Sequence, residues 1–184
     1  YVGKGMAGGK IIIKVPKILK ELAKKMIIIG NTCIYGATGG KLFAEGIAGE
    51  RFGVRNSGCT AIIEGSGDHT CEYMTGGSII VLGKTGNNFG AGMTGGLSFV
   101  YDEDNTFAKK INTESVEIAK LSETMFTEHQ KYLLKSLKEY YKDTGSYIAK
   151  SIILNFKEEI NKFVIIKPRA SDFKSLLVIL TKAA

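Results

Sequence analysis

The chain has 184 residues, 44% apolar and 23% charged, values that exclude wholesale disorder and fit one sizeable domain, alone or with a helical appendage. Its apolar runs, such as Ile11–Ile13 and Met26–Ile29, are too short to cross a bilayer, and no export signal is visible. A net charge of +7 names no acidic partner, and the odd trio Cys33, Cys59 and Cys71 lacks metal-site spacing and reads as reduced intracellular thiols. The first residue is Tyr1, so a piece cut from something longer is expected.

Of 23 glycines, 22 lie in residues 1–100 and only Gly145 follows. Composition therefore divides the chain near Tyr101 into a Gly-rich domain, 1–101, and a Lys/Glu-rich helical extension, 102–184. In the first part a small residue and a glycine precede an apolar run five times: Gly8-Gly9, Gly39-Gly40, Ser57-Gly58, Gly76-Gly77 and Gly95-Gly96. The steps between second members are 31, 18, 19 and 19 residues. The long first step holds Pro16–Met26, where Ile18, Leu19, Leu22, Ala23 and Met26 fall at helical spacing among lysines, which predicts an inserted surface helix. A period near 19 with glycine corners predicts a mainly β, parallel solenoid whose coils stack at about 4.8 Å. Gly9, Gly40, Gly58, Gly77 and Gly96 are then equivalent structural corners, with φ > 0 or no room for a Cβ. An antiparallel sandwich is the alternative, but the motifs never reverse their order.

After the acidic turn Asp102–Asn105 the pattern becomes helical. Thr127 and Gln130 read as a capping box, followed by an apolar face of Leu133, Leu134, Leu137, Tyr140 and Tyr141. Asp143-Thr144-Gly145-Ser146 ends that helix and caps the next, which carries Ile148, Ile152, Phe156 and Ile160. Phe163–Ile166 reads as a short strand stopped by Pro168, with a last short helix beyond. The apolar faces of these helices need a partner, and the side of the solenoid is the nearest.

Three motifs suggest chemistry, and each has a plainer reading. Gly3-x-Gly5-x-x-Gly8 and Gly90-x-Gly92-x-x-Gly95 match the dinucleotide-binding pattern, but strands rather than helices follow them. Asp68-His69-Thr70-Cys71-Glu72 holds four ligand types, and strand geometry puts His69 and Cys71 on one side. A nucleophile and base or half a zinc site is conceivable there, but the required third and fourth groups are missing, so a buried Cys and a turn-paired His are preferred. Arg51, Arg55 and Asn56 near Glu45 and Glu50 suggest an anion site, although a solvated ion-pair cluster is the better reading. The lysines lie at amphipathic helical spacing without interleaved aromatics, which argues against nucleic acid.

Four blocks carry a resemblance: Ile29–Gly40 (IGNTCIYGATGG), Ala48–Gly58 (AGERFGVRNSG), Glu64–Gly77 (EGSGDHTCEYMTGG) and Val81–Gly96 (VLGKTGNNFGAGMTGG). Residues 1–101 resemble the C-terminal Gly-rich domain of the glutamate synthase large subunit, and Asp143–Ser146, Ala149-Lys150, Phe163-Val164 and Pro168-Arg169 continue the likeness more loosely. The resemblance implies a right-handed parallel β-helix. It departs at Pro16–Lys25, where a Lys-rich insert replaces the expected loop.

That family makes glutamate from glutamine and 2-oxoglutarate. Glutamine is hydrolysed at an N-terminal cysteine, and ammonia travels through a channel to an FMN site beside an iron–sulfur cluster. No motif for those stations occurs here, so the resemblance implies no catalytic, cofactor-binding or metal residue in this chain. It implies a scaffold that holds the amidotransferase and synthase domains in register. The implied partners are those domains and a small electron-donating subunit or ferredoxin, in the cytoplasm or an organelle stroma, with no nucleic acid and no membrane. A free-standing interaction protein is the runner-up, either a separately encoded glutamate synthase domain or a solenoid like the Gly-rich one of formylmethanofuran dehydrogenase. A carbohydrate-active β-helix is third. Its carboxylate pair would have to come from Glu21, Glu45, Glu50, Glu64, Asp68 and Glu72, which look too dispersed.

Overall fold

The structure, a computed structural model, describes residues 1–182. Its strands are β1 (Ala7–Ile13), β2 (Ile27–Ile29), β3 (Gly39–Ala44), β4 (Ile47–Ala48), β5 (Thr60–Ile63), β6 (Thr75–Val81), β7 (Gly95–Tyr101), β8 (Val116–Lys120) and β9 (Phe163–Pro168). Four α-helices follow the solenoid: α1 (Thr127–Thr144), α2 (Tyr147–Leu154), α3 (Phe156–Glu159) and α4 (Phe173–Lys182).

The strands that follow the glycine pairs, β1, β3, β5, β6 and β7, lie side by side in that order and all pair in parallel. Lys10, Lys41, Thr60, Ser78 and Leu97 form one register row across them. A full turn of chain separates each strand from the next, which makes the fold a parallel β-solenoid and excludes the sandwich. The parallel pair β2–β4, extended by the Ile47–Gly65 bridge, forms a second, narrower side.

Both faces of the main sheet are covered. Leu42, Ala44, Ala61, Ile63, Ile79 and Val81 point into the coil interior, where Phe52 and Met74 complete the packing. Phe43, Ile62, Ile80 and Phe99 point outward, under Leu133, Leu137 and Tyr140 of α1 and Ala149 and Ile152 of α2. A parallel sheet buried on both faces reads as unbroken apolar runs, which is why these strands show no polar alternation. Lys10 and Lys41 fasten the seam by pairing with Glu139 of α1 at 2.7 and 2.8 Å.

The sheet does not stop where composition changes. β9 pairs antiparallel with β7, and β8 pairs antiparallel with β9 on the far side. Pro168 closes β9, and Gly145 ends α1 in a left-handed conformation with φ of 74°. The next residue, Ser146, accepts a hydrogen bond from the Ala149 N–H and so caps α2.

Three local expectations are corrected. The capping box does not form, because a 3₁₀ turn at Thr124–Phe126 runs directly into α1. The Thr127 hydroxyl donates to Thr124 O, and the Gln130 amide donates to Leu121 O at 2.7 Å. The pattern from Ile148 to Ile160 is not one helix, for α2 ends at Leu154 and Asn155 separates it from α3. The insert does become helical, but as a 3₁₀ helix over Lys17–Lys25. Three residues per turn align Lys20, Ala23 and Met26 toward the body, leaving Ile18 89% and Leu22 49% exposed.

Leu137→Ala is therefore expected to destabilise the chain by about 2–5 kcal/mol, as removal of a fully buried side chain does. Ile18→Ala should change stability by less than about 0.5 kcal/mol, as befits a surface position. Urea denaturation of the two variants checks both values.

Candidate functional site

The site residues that the sequence singles out are structural, the corner glycines Gly9, Gly40, Gly58, Gly77 and Gly96. One position before the row Lys10–Lys41–Thr60–Ser78–Leu97 stand Gly9, Gly40, Cys59, Gly77 and Gly96. The four glycines of that row share φ values of 77°, 84°, 80° and 81°. Gly58 falls in the row before, with Gly39, Gly76 and Gly95. A Cβ at any of these four would land on a carbonyl oxygen of the preceding coil: Ala7, Thr38, Ser57 or Thr75. Cys59 takes the corner without a positive φ because the fully buried Asn56 side chain brackets its backbone. Asn56 Oδ1 accepts from the Cys59 N–H and Nδ2 donates to the Cys59 carbonyl, each at 2.9 Å.

A second corner is announced by glycine at alternate positions only in part of the stack, at Gly3-x-Gly5 and Gly90-x-Gly92. Positive φ recurs at every second residue: Thr32, Ile34 and Gly36; Arg51, Gly53 and Arg55; His69, Cys71 and Tyr73; then Asn88, Gly90 and Gly92. The N–H groups of Arg51 and Arg55 donate to Asp68 O and Glu72 O of the next coil, while that of Gly53 donates to Cys33 O of the previous one. His69, Cys71 and Tyr73 repeat the scheme with Asn87, Phe52 and Ala91. Alternate residues thus bond in opposite directions along the stack. Left-handed residues other than glycine carry strain of about 1–3 kcal/mol each, which these buried backbone bonds offset.

This geometry dissolves the chemical motifs. Because the 68–72 segment is not an extended strand, His69 and Cys71 do not share a side. The His69 ring meets the Asn88 amide at 3.1 Å, and the buried Cys71 thiol meets Ser98 Oγ at 3.3 Å. Arg51 and Arg55 are exposed, Asn56 is in the core, and Glu45 is buried on another side of the coil, so no anion site assembles. Both GxGxxG segments lead into strands, β1 and β7, which leaves no helix N-terminus for a nucleotide phosphate. The three thiols are separately buried, and among the described residues no group of three or more His, Cys, Asp or Glu could hold a metal ion. Burial pushes the Cys59 and Cys71 thiols up to about 12.

The carboxylates are the reverse case. Glu45 and Glu64, one period apart in sequence, follow register partners of β3 and β5 and stack on adjacent coils, where both are buried. Their 19-residue separation is the signal that would have found them. Helices α1 and α2 cover them, so they form no hydrolase pair.

Left-handed residues at alternate positions are what glycine at every second place permits, and the family described as "GXGXG motif" matches residues 1–169. The chain belongs to the GXGXG family. Among curated relatives, glutamate synthase [NADH] of Schizosaccharomyces pombe is 46% identical over 96% of this chain. Ferredoxin-dependent glutamate synthase of Antithamnion sp. is 50% identical over 98%, and ferredoxin-dependent glutamate synthase 2 of Synechocystis sp. is 51% identical over 89%. The chain spans 8%, 12% and 10% of those relatives, in the same order.

Two outcomes follow for GXGXG residues. Gly9 and Gly77 share their φ, but a Cβ at Gly9 meets nothing within 4 Å, while at Gly77 it meets Asn56 Nδ2 at 2.7 Å and the Cys59 backbone. Gly77→Ala should therefore destabilise by roughly 2 kcal/mol more than Gly9→Ala, the excess measuring contact between coils in chemical denaturation. In the native chain at pH 8, Cys59 and Cys71 should resist iodoacetamide and react only after denaturation, as read by peptide mapping.

Proposed function

We propose that this chain is the glycine-rich solenoid segment of a glutamate synthase large subunit, and that its work is mechanical. It would hold the amidotransferase and FMN synthase domains at a fixed separation, so that ammonia released at one is consumed at the other. The observation that carries this reading is a stack whose coils meet backbone to backbone, with no space for a Cβ at Gly39, Gly58, Gly76 and Gly95. Such a stack deforms little along its length. No catalytic, flavin or cluster role is assigned to any of its residues.

The choice of electron donor lies outside this segment in the same reading. Relatives named for NADH and for ferredoxin are similar to it at 46% and 50% identity, which supports placing the donor's site elsewhere. A small electron-donating subunit or ferredoxin would then act on other domains. Cytoplasm or an organelle stroma fits the proposal, two relatives being named as chloroplastic or chloroplastic/mitochondrial. Among the described residues no helix is long and apolar enough to cross a membrane.

The test is Gly77→Val in the glutamate synthase that contains this chain. The two half-reactions should survive while their coupling fails, so the ratio of glutamine consumed to glutamate formed rises above that of the unmodified enzyme. An unchanged ratio, despite a measurable fall in thermal stability, would count against a role in register.

A further inference from the structure

Where the helices meet the solenoid, hydrogen bonds demand one more proton than the hydroxyls can supply. The outward column of the sheet runs Glu45, Glu64, Leu82 and Tyr101 across successive coils, each one residue beyond register-paired positions or closing them. In this column the Glu45 N–H donates to Ile13 O and the Leu82 N–H to Ile63 O. The same ladder rule would send the Glu64 N–H to Ala44 O, but it donates to Gly46 O at 2.8 Å. Ala44 O is left for the Tyr140 hydroxyl, 3.0 Å away, which also lies 3.1 Å from Glu64 Oε1. Tyr140 has one proton, and a carbonyl can only accept. If that proton goes to Ala44 O, the contact with Glu64 is a hydrogen bond only when the carboxyl supplies its own. Ser146 contributes one further proton, to Glu64 Oε1, while its oxygen accepts from the Ala149 N–H.

The charges agree with this count. Glu45 and Glu64 face the seam one coil apart, both at least 97% buried. Lys20, from the 3₁₀ helix, is the cation that reaches them, and it is committed to Glu45 Oε2 at 2.6 Å and to Thr144 O. The other titratable groups facing Glu64 are Tyr140 from α1, Tyr147 from the first turn of α2, and Glu21 and Lys24 from the 3₁₀ helix, the last three around a cavity of about 270 Å³ that Glu64 also lines. Two ionised buried carboxylates sharing one lysine would leave an uncompensated charge in the seam.

We propose that Glu64 is a proton-binding site that clasps α1 and α2 to the solenoid: a neutral carboxylic acid donating to Tyr140, which donates in turn to Ala44 O. Loss of that proton leaves a second negative charge beside Glu45 and loosens the helix pair from the coils. The cavity supplies the route by which solvent takes the proton. Burial, foremost, holds the Glu64 carboxyl above the ordinary glutamate range against the opposing hydrogen bonds of Ser146 and Tyr140 and the charge of Lys20, the neighbouring Glu45 acting with burial. A group whose folded pKa is raised stabilises the fold below its unfolded pKa, and that contribution is lost as pH rises through the folded pKa.

The test uses the 184-residue chain, with the Glu64 side-chain carboxyl followed by carbon NMR against pH and identified by its absence in Glu64→Gln. A midpoint above the ordinary glutamate range is expected. Above the unfolded-state value and up to that midpoint the unfolding equilibrium constant of the wild type should rise by up to tenfold per pH unit, while Glu64→Gln stays level over the same interval. A midpoint within or below the ordinary range overturns the proposal, as does a parallel rise in Glu64→Gln. If Glu64→Gln fails to fold, the wild-type midpoint, assigned through backbone correlations, decides alone.

Discussion

Everything in this structure follows from how closely one coil lies on the next. At Gly39, Gly58, Gly76 and Gly95 the backbone of each coil touches a carbonyl of the coil before it, and a single methyl group would occupy space already filled. That contact fixes the stacking distance at the parallel-strand spacing and aligns the register row. It also lets alternate N–H groups of the second corner reach coils on both sides. Side chains then fill a coil interior whose dimensions the backbone has already set, which explains why small and large apolar residues share it.

The fold was largely legible because the period was written in glycine. The step of 19 residues placed five strands and their parallel order, although Ser57-Gly58 misled the register by one. Cys59 stands where a glycine was expected, and the compensating Asn56 looks like an ordinary turn residue until its buried amide is seen bonded to Cys59. The second corner was partly hidden for a related reason. Thr32, Ile34, Arg51, Arg55, Cys71 and Tyr73 adopt left-handed conformations that nothing in their chemistry announces, and only His69 and Asn88 are of types that favour one. Glycine reveals such a position only where the strain has been relieved.

The helical part was legible in kind but less so in detail. Amphipathic spacing identified the faces of α1 and α2, and Gly145-Ser146 marked the turn between them by residues whose capping chemistry is specific. Thr127 failed as a cap because tertiary contacts extended the helix start backward into a 3₁₀ turn. Glu45 and Glu64 look dispersed when separation along the chain is weighed without the period that brings them together. In a solenoid, nearness is counted in repeats, so a distant pair one period apart is more intimate than neighbours within a coil.

The reversal of direction at β9 has a consequence for how such a chain can change in length. Beyond β7 the sheet continues antiparallel through β9 to β8, where Glu117 pairs across the ladder with Lys167 of β9 and with Arg169 just beyond it. Two reversals leave β8 parallel to β7, but the strand lying directly on β7 is β9, which runs the other way and occupies the place where a further parallel coil would be laid. A duplicated coil could enter between β1 and β7 with its register and glycine rows intact. The antiparallel pair therefore acts as a terminus in the evolutionary sense: it limits growth of the stack to whole-coil steps on one side of a fixed end.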